Sequence, residues 1–442
     1  MDPLASHTLL ELHILPDHNR LSALDFFDCT HSQGGRDILK KLIISPKTSL
    51  YEILSFQQVL KYMARDSTKW ETNLSRSYIS AAETYFNSSI GYTMSQDVFQ
   101  HWFDSLIFSW RNSTEFYLVQ SGLSASIRFI QALKEMTDHF VMEEIPSGLQ
   151  SDFQFLRNFF QRSTVKALFG LRPHKLSKSR IFYLDYYLRI SQRESFRQIL
   201  DIYYRLDAYL AIVKTARSND LVFPEFVEQP SYFSAEGLWQ PLIENAIAND
   251  LFAERNKPLC LLTGANTSGK TTFLKTCGLV VYLAHLGWPV PAKALRLSYF
   301  DRLFTSIQLT DDLALGYSHF YNEMMRIREI ASALYNKEKC FVIIDELFRG
   351  TNADDGHYCS NLVLNGFTRQ ERSFFMISTH LLELVEDMSK NSAVSLRCFK
   401  TQVLRGGFGN TFEINEGIAR EKIGRMILEK TGIAGLLFGD NE

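Results

Sequence analysis

Residues 259–272 read LCLLTGANTSGKTT, and the rest of the fold can be argued outward from them. Leu259–Thr263 is a short apolar run suited to a buried strand, and the stretch after Thr271 is apolar at helical spacing. Between them, Gly264 to Thr271 fits G-x-x-x-x-G-K-[ST]. In a strand–loop–helix context, such glycines let backbone N–H groups and a helix N-terminus close on phosphate oxygens. Lys270 is then the residue to reach the β- and γ-phosphates, and the Thr271 hydroxyl a ligand for Mg²⁺. A chance glycine-rich turn has the same composition, so the pattern needs partners elsewhere in the chain.

The partners follow downstream. Phe341–Ile344 is a second apolar run, and it ends in Asp345-Glu346. Acidic residues at the C-terminal end of a buried strand lie where α/β sheets bind ligands. Asp345 suits the Mg²⁺ shell, and Glu346 suits orienting and deprotonating an attacking water. An acidic pair after an apolar run is often only a helix cap; a phosphate loop upstream favours the catalytic reading. A third run, Phe374–Ser378, ends in Thr379-His380, where His380 is a candidate γ-phosphate sensor. Short apolar runs alternating with helical stretches predict a mostly parallel sheet with helices on both faces. Cys398–Leu404 and Thr411–Ile414, on either side of Gly406–Asn410, predict a hairpin beyond it.

Upstream the pattern changes. Ser49–Met63 sets Tyr51, Leu54, Val59 and Tyr62 near one stripe, and Ser195–Ala216 does so with Ile199, Ile202, Leu206, Leu210 and Val213. Breaks fall at 145–148, 170–173 and 223–230. The last gives the domain border: a helical domain over 1–228 and an α/β domain over 229–442. The chain has 442 residues, 45% hydrophobic and 22% charged, with a formal net charge of −2. That is an ordinary globular composition without bulk attraction to nucleic acid. Six scattered cysteines without a C-x-x-C pair argue against a zinc site or a disulfide framework, and for a reducing compartment. The most apolar stretch, Cys277–Val290, is interrupted by His285 and Pro289 and is too short to span a bilayer. The expectation is a cytoplasmic chain with no membrane partner.

The motifs together resemble the MutS family of DNA mismatch repair ATPases. Gly264–Thr272 (GANTSGKTT) resembles its G-P-N-M-G-G-K-S-T, with Ala265 in place of the proline. Asp311–Ser318, with Phe320 and Glu323-Met324, resembles D-D-L-x-x-G-x-S-x-F-x-x-E-M. Asp345-Glu346 through Arg349-Gly350-Thr351 to Asp355-Gly356 resembles D-E-x-x-R-G-T-x-x-x-D-G, and Thr379-His380 its T-H. Val290-Pro291-Ala292 matches a V-P-A after the loop helix, and Leu24–Leu39 is similar to the start of the family's lever domain. The resemblance implies an ABC/MutS-type P-loop ATPase domain behind an all-α lever domain, with a rudimentary clamp near 145–190. It implies ATP contacts from Gly264, Asn266, Gly269, Lys270, Thr271 and Thr272, with Mg²⁺ at Thr271 and Asp345. Catalysis would fall to Lys270, Glu346 and His380. It further implies a homodimer through the ATPase domain that sandwiches ATP, with Ser318 of one subunit facing the other's γ-phosphate; Ser318 as a plain helix cap is compatible with that. No counterpart of the family's mismatch-reading domains is expected ahead of Leu24. Ala246 stands where the family often carries an aromatic that stacks on adenine, so no stacking residue is expected from that stretch.

One segment speaks to nucleic acid. Residues 157–197 hold Arg157, Arg162, Lys166, Arg172, Lys175, Lys178, Arg180, Arg189, Arg193 and Arg197 against Asp185 and Glu194, with aromatics between. A basic segment at a lever tip suits a phosphate backbone, with Arg172, Lys175, Lys178 and Arg180 as the candidate contacts; a solvated helix face with core aromatics has the same composition. The expected function is a Mg²⁺-dependent ATPase, ATP and water giving ADP and phosphate, that acts as a nucleotide-switched dimer on DNA in repair or recombination. The alternatives are a ribosome- or RNA-associated MutS-like ATPase, and a scaffold that holds ATP without hydrolysing it.

Overall fold

The computed structural model describes residues 6–17, 20–87, 113–252, 256–307, 319–348, 351–404 and 407–419, together with residues 433 and 436. It divides into two compact units. One comprises residues 1–26, 43–53 and 218–442, and the other residues 27–42 and 54–217.

The first unit carries two sheets. Four short strands, β1 (Glu225–Phe226), β2 (Phe233–Leu238), β3 (Asn249–Leu251) and β5 (Ala294–Leu297), form a sheet in the order β1-β5-β2-β3. The larger sheet holds β4 (Leu259–Thr263), β6 (Arg302–Ser306), β7 (Cys340–Asp345), β8 (Phe374–Ser378), β9 (Val394–Leu404) and β10 (Gly407–Glu416). Its order is β10-β9-β4-β8-β7-β6, parallel throughout except for the antiparallel β9–β10 hairpin. Every residue of β4, β7 and β8 is buried, as expected of parallel strands covered on both faces. The three apolar runs read as strands are therefore strands, in a mostly parallel sheet. Pairing in the hairpin already includes Gly407 with Leu404, within the stretch read as its connection.

The helix Lys270–Leu286 lies under this sheet and is buried on nearly every side. Gly278 lets it sit close: a Cβ there would come within 2.7 Å of Leu12 and 2.9 Å of Ile343. Among the described residues no helix is long and apolar enough to cross a membrane. The helix Ser6–Glu11 packs on β6, and Thr305 Oγ1 bonds Thr8 Oγ1 at 3.0 Å. Residues 6–26 thus complete the core of the α/β unit, whereas the sequence reading drew a single border at 228/229.

The second unit is helical, built around the helices Ser113–Asp138 and Arg193–Ser218. Ile199, Ile202, Leu206, Leu210 and Val213 are all buried, as their spacing predicts. The helix Leu50–Arg65 corrects the stripe read over 49–63. Tyr51 and Leu54 are exposed, and the buried face is Ile53, Leu60 and Met63, joined by Val59. Apolar residues occur all around this helix, so periodicity alone does not select the packed side. From the middle of the long 193–218 helix, the buried Asp207 carboxylate accepts the N–H groups of His31 and Ser32 and the Ser32 hydroxyl, at 2.6–3.1 Å. This fixes the turn before Gly34-Gly35.

Candidate nucleotide site

Parallel pairing brings the three motifs side by side. Leu262 pairs with Ser378, and Ser378 with Asp345, so the ends of β4, β8 and β7 meet on one edge of the sheet. The loop after β4 needs its glycines. Gly264 and Gly269 have φ of 152° and 107°, and a Cβ on Gly264 would come within 2.7 Å of Ser268 Oγ. Lys270 opens the following helix and is 4% exposed; its ammonium donates to the Gly264 and Ala265 carbonyls at 2.8 and 2.9 Å. Ser268 Oγ is buried with no hydrogen-bond partner among the described residues.

The loop and β7 meet through Thr271, whose hydroxyl donates to Asp345 Oδ2 at 2.6 Å, while the Ser378 hydroxyl donates to Asp345 Oδ1. Glu346 stands next in a left-handed conformation, φ 66°, its N–H bonded to Ser378 O at 3.2 Å. Such backbone in a non-glycine residue persists only where the surroundings hold it. The Glu346 carboxylate is 7% exposed and lies 2.8 Å from His380 Nδ1, on a side chain that is 56% exposed. One turn along the loop helix, Lys275 is also buried. Burial, and next the charge of Arg20, lower its pKa from the usual lysine value, while Glu11 and Asp345 pull it up.

Of these residues, Gly269, Lys270, Thr271 and Glu346 border a cleft of about 540 Å³. Asn266, Thr271, Thr272 and Glu346 line it, and so do Ile243, Ile247, Phe399 and Phe412. Phe412 is the residue that sequence reasoning missed. The stretch around Ala246 supplies no aromatic, but β10 brings one from far along the chain. The Phe412 ring lies against the loop, since a Cβ on Gly269 would come within 3.3 Å of it. Nothing in the local pattern of that strand, GFGNTFEINE, singles out Phe412 for this. Ser318, with the rest of 308–318, and Arg349-Gly350 lie outside the described residues.

Arg172, Lys175, Lys178 and Arg180 fall in the helical unit, and all four are exposed. The wider basic segment is weaker than its composition. Arg157 donates to Phe140 O, Arg162 to Gln192 and Ser195, and Arg189 is paired with the buried Asp185. Phe159, Phe160 and Phe182 are core residues, whereas Tyr183 and Tyr186 are exposed. Residues 260–435, which carry the loop, the acidic pair and the hairpin, match the family model described as MutS domain V.

Proposed function

We propose that this chain, which belongs to the MutS family through its residues 260–435, binds ATP in the cleft, hydrolyses it, and uses nucleotide state to control a dimer on DNA. One observation carries the reading. Thr271 with Asp345, and Glu346 with His380, converge at the sheet edge beside a glycine-bounded loop and its helix N-terminus. Loop N–H groups and the Lys270 ammonium neutralise phosphate charge. The Ser268 hydroxyl, buried and without a hydrogen-bond partner among the described residues, is suited to a phosphate oxygen.

The residues present fit Mg²⁺. A hydroxyl and a carboxylate oxygen 2.6 Å apart are the hard oxygen ligands such an ion takes, and Thr271 and Asp345 would hold it. Bound there, the ion would offset negative charge on the β- and γ-phosphates. Glu346 takes the proton of the attacking water as the water oxygen bonds to phosphorus and the bond to the β,γ-bridging oxygen breaks. His380 orients the Glu346 carboxylate through the 2.8 Å contact. Phe412, Ile243 and Ile247 offer apolar surface to the base.

A dimer that sandwiches ATP, with Ser318 acting across it, and phosphate contacts from Arg172, Lys175, Lys178 and Arg180 complete the proposal. The test is phosphate release by the full chain with ATP and Mg²⁺. It is expected to occur and to vanish in Lys270→Ala together with ATP binding. Equal rates in the two proteins would refute the site.

A further inference from the structure

Two segments far apart in sequence contribute to the apolar lining of the cleft beside Phe273 and Phe399: Ile243–Ile247, just before β3, and Phe412 in β10. Phe412 stands at an irregularity. β10 pairs with β9 as far as Asn410 and again from Ile414, with a register shift between them. Phe412 has φ of 55°, disfavoured for a bulky side chain, and its side chain is left 45% exposed.

Asn249 holds that irregularity. It is 9% exposed, and its Nδ2 donates to both the Ile247 carbonyl, at 3.2 Å, and the Phe412 carbonyl, at 3.0 Å. Its Oδ1 accepts the Ile414 N–H at 2.7 Å. One planar amide therefore ties together two residues that line the cleft and the first residue past the register shift. A second tie runs to the phosphate loop: Asn410 Nδ2 donates to the Thr267 carbonyl at 3.0 Å, where Thr267 itself has φ of 79°.

We infer that Asn249 is a positioning residue for nucleobase recognition: it fixes the Phe412 ring relative to Ile247, and the grip on the base depends on it while the grip on the phosphates does not. This rests on the nucleotide reading above and adds a residue outside its motifs. An asparagine that merely stitched two strands would be just as buried, but it would have no reason to bond two cleft residues, one of them in a left-handed conformation.

The experiment compares ATP with inorganic tripolyphosphate, which has no base, as ligands of the full chain. Asn249→Ala is expected to weaken ATP binding about tenfold and to move KM for ATP more than kcat. Tripolyphosphate affinity is expected to stay within about twofold. Asn249→Asp keeps the acceptor for Ile414 but lacks the donor, and falls between; it carries the same comparison should the alanine variant not fold. In a Phe412→Ala background, adding Asn249→Ala is expected to change ATP binding little further, because the ring it positions is gone. Equal weakening for both ligands, or ATP binding unaltered in a protein whose binding still requires Lys270, overturns the inference alone. A wild-type chain that binds neither ligand overturns the nucleotide reading and this inference with it.

Discussion

Replacing Glu346 with glutamine removes one charge and one proton acceptor while keeping the size and shape of the side chain. The magnitude follows from where the group sits. General-base assistance contributes roughly 10²–10⁴-fold, or about 2.7–5.5 kcal/mol of barrier, and an amide cannot supply it. Ground-state binding rests on other elements: Lys270, whose ammonium lies on the Gly264 and Ala265 carbonyls, and Thr271, whose hydroxyl bonds Asp345, belong to the loop helix. The local cost is the His380 contact at 2.8 Å, and because that histidine is 56% exposed, solvent screening keeps it within about 1 kcal/mol. Turnover should therefore fall at least about a hundredfold while the ATP dissociation constant moves less than about fivefold. Single-turnover phosphate release gives the first quantity, and titration with a fluorescent ATP analogue the second. Turnover within about threefold of wild type, or binding and turnover lost in parallel, would show that Glu346 is not the base.

His285 gives a pH signature of stability. It is fully buried, and burial pushes its pKa down to about 3, with Nδ1 2.7 Å from the Val281 carbonyl and Nε2 accepting the Phe300 N–H at 3.0 Å. A folded pKa below the unfolded value makes the neutral form's stability complete above pH ~6.5 and lost as pH falls toward 3. By pH 5 the loss is about 2 kcal/mol, read as a lower urea midpoint, and the slope is expected to shrink in His285→Gln. Reversing Arg172, Lys175, Lys178 and Arg180 to glutamate should weaken duplex DNA binding and flatten its salt dependence by up to about four units of slope, measured by anisotropy. A stronger, equally charge-dependent affinity for structured RNA would move the reading to an RNA-associated ATPase. Glu346→Gln with ATP and Mg²⁺ should scatter light as a dimer, and Ser318→Arg should abolish it; the same mass with and without ATP would refute the sandwich.

The chemistry-bearing strands were legible because a parallel strand buried on both faces must be a continuous apolar run, and its end must be where polarity returns. Thr263-Gly264, Asp345-Glu346 and Thr379-His380 all mark such ends. What sequence could not show depended on partners. β1, β2, β3 and β5 are two to six residues long, too short for a period to register. Phe412 enters the cleft through a register shift whose left-handed residue is not a glycine, so no turn signal announces it. Tyr51 and Leu54 have the right spacing but face solvent, because neighbours decide which of several apolar sides packs. Arg157, Arg162 and Arg189 count as charge in a composition, yet they are occupied by carbonyl, amide and carboxylate groups of their own unit.

The packing of Leu12 against Gly278 bears on how the chain is made. On a ribosome, residues 6–26 emerge well before the helix and strands they cover. At about 5–20 residues per second the wait is on the order of tens of seconds. In that interval the stretch from Leu54 to Arg217 is already complete, so the helical unit has most of its own contacts available before the α/β unit has a sheet. Leu12 and Ile14, both buried at the end, spend that time without their partners and are natural targets for a chaperone that binds short apolar segments. A recombinant fragment beginning at residue 229 would meet the same deficit permanently. It would leave the surfaces of Gly278 and β6 bare, and it should be recovered largely as aggregate unless residues 6–26 are supplied as a separate peptide.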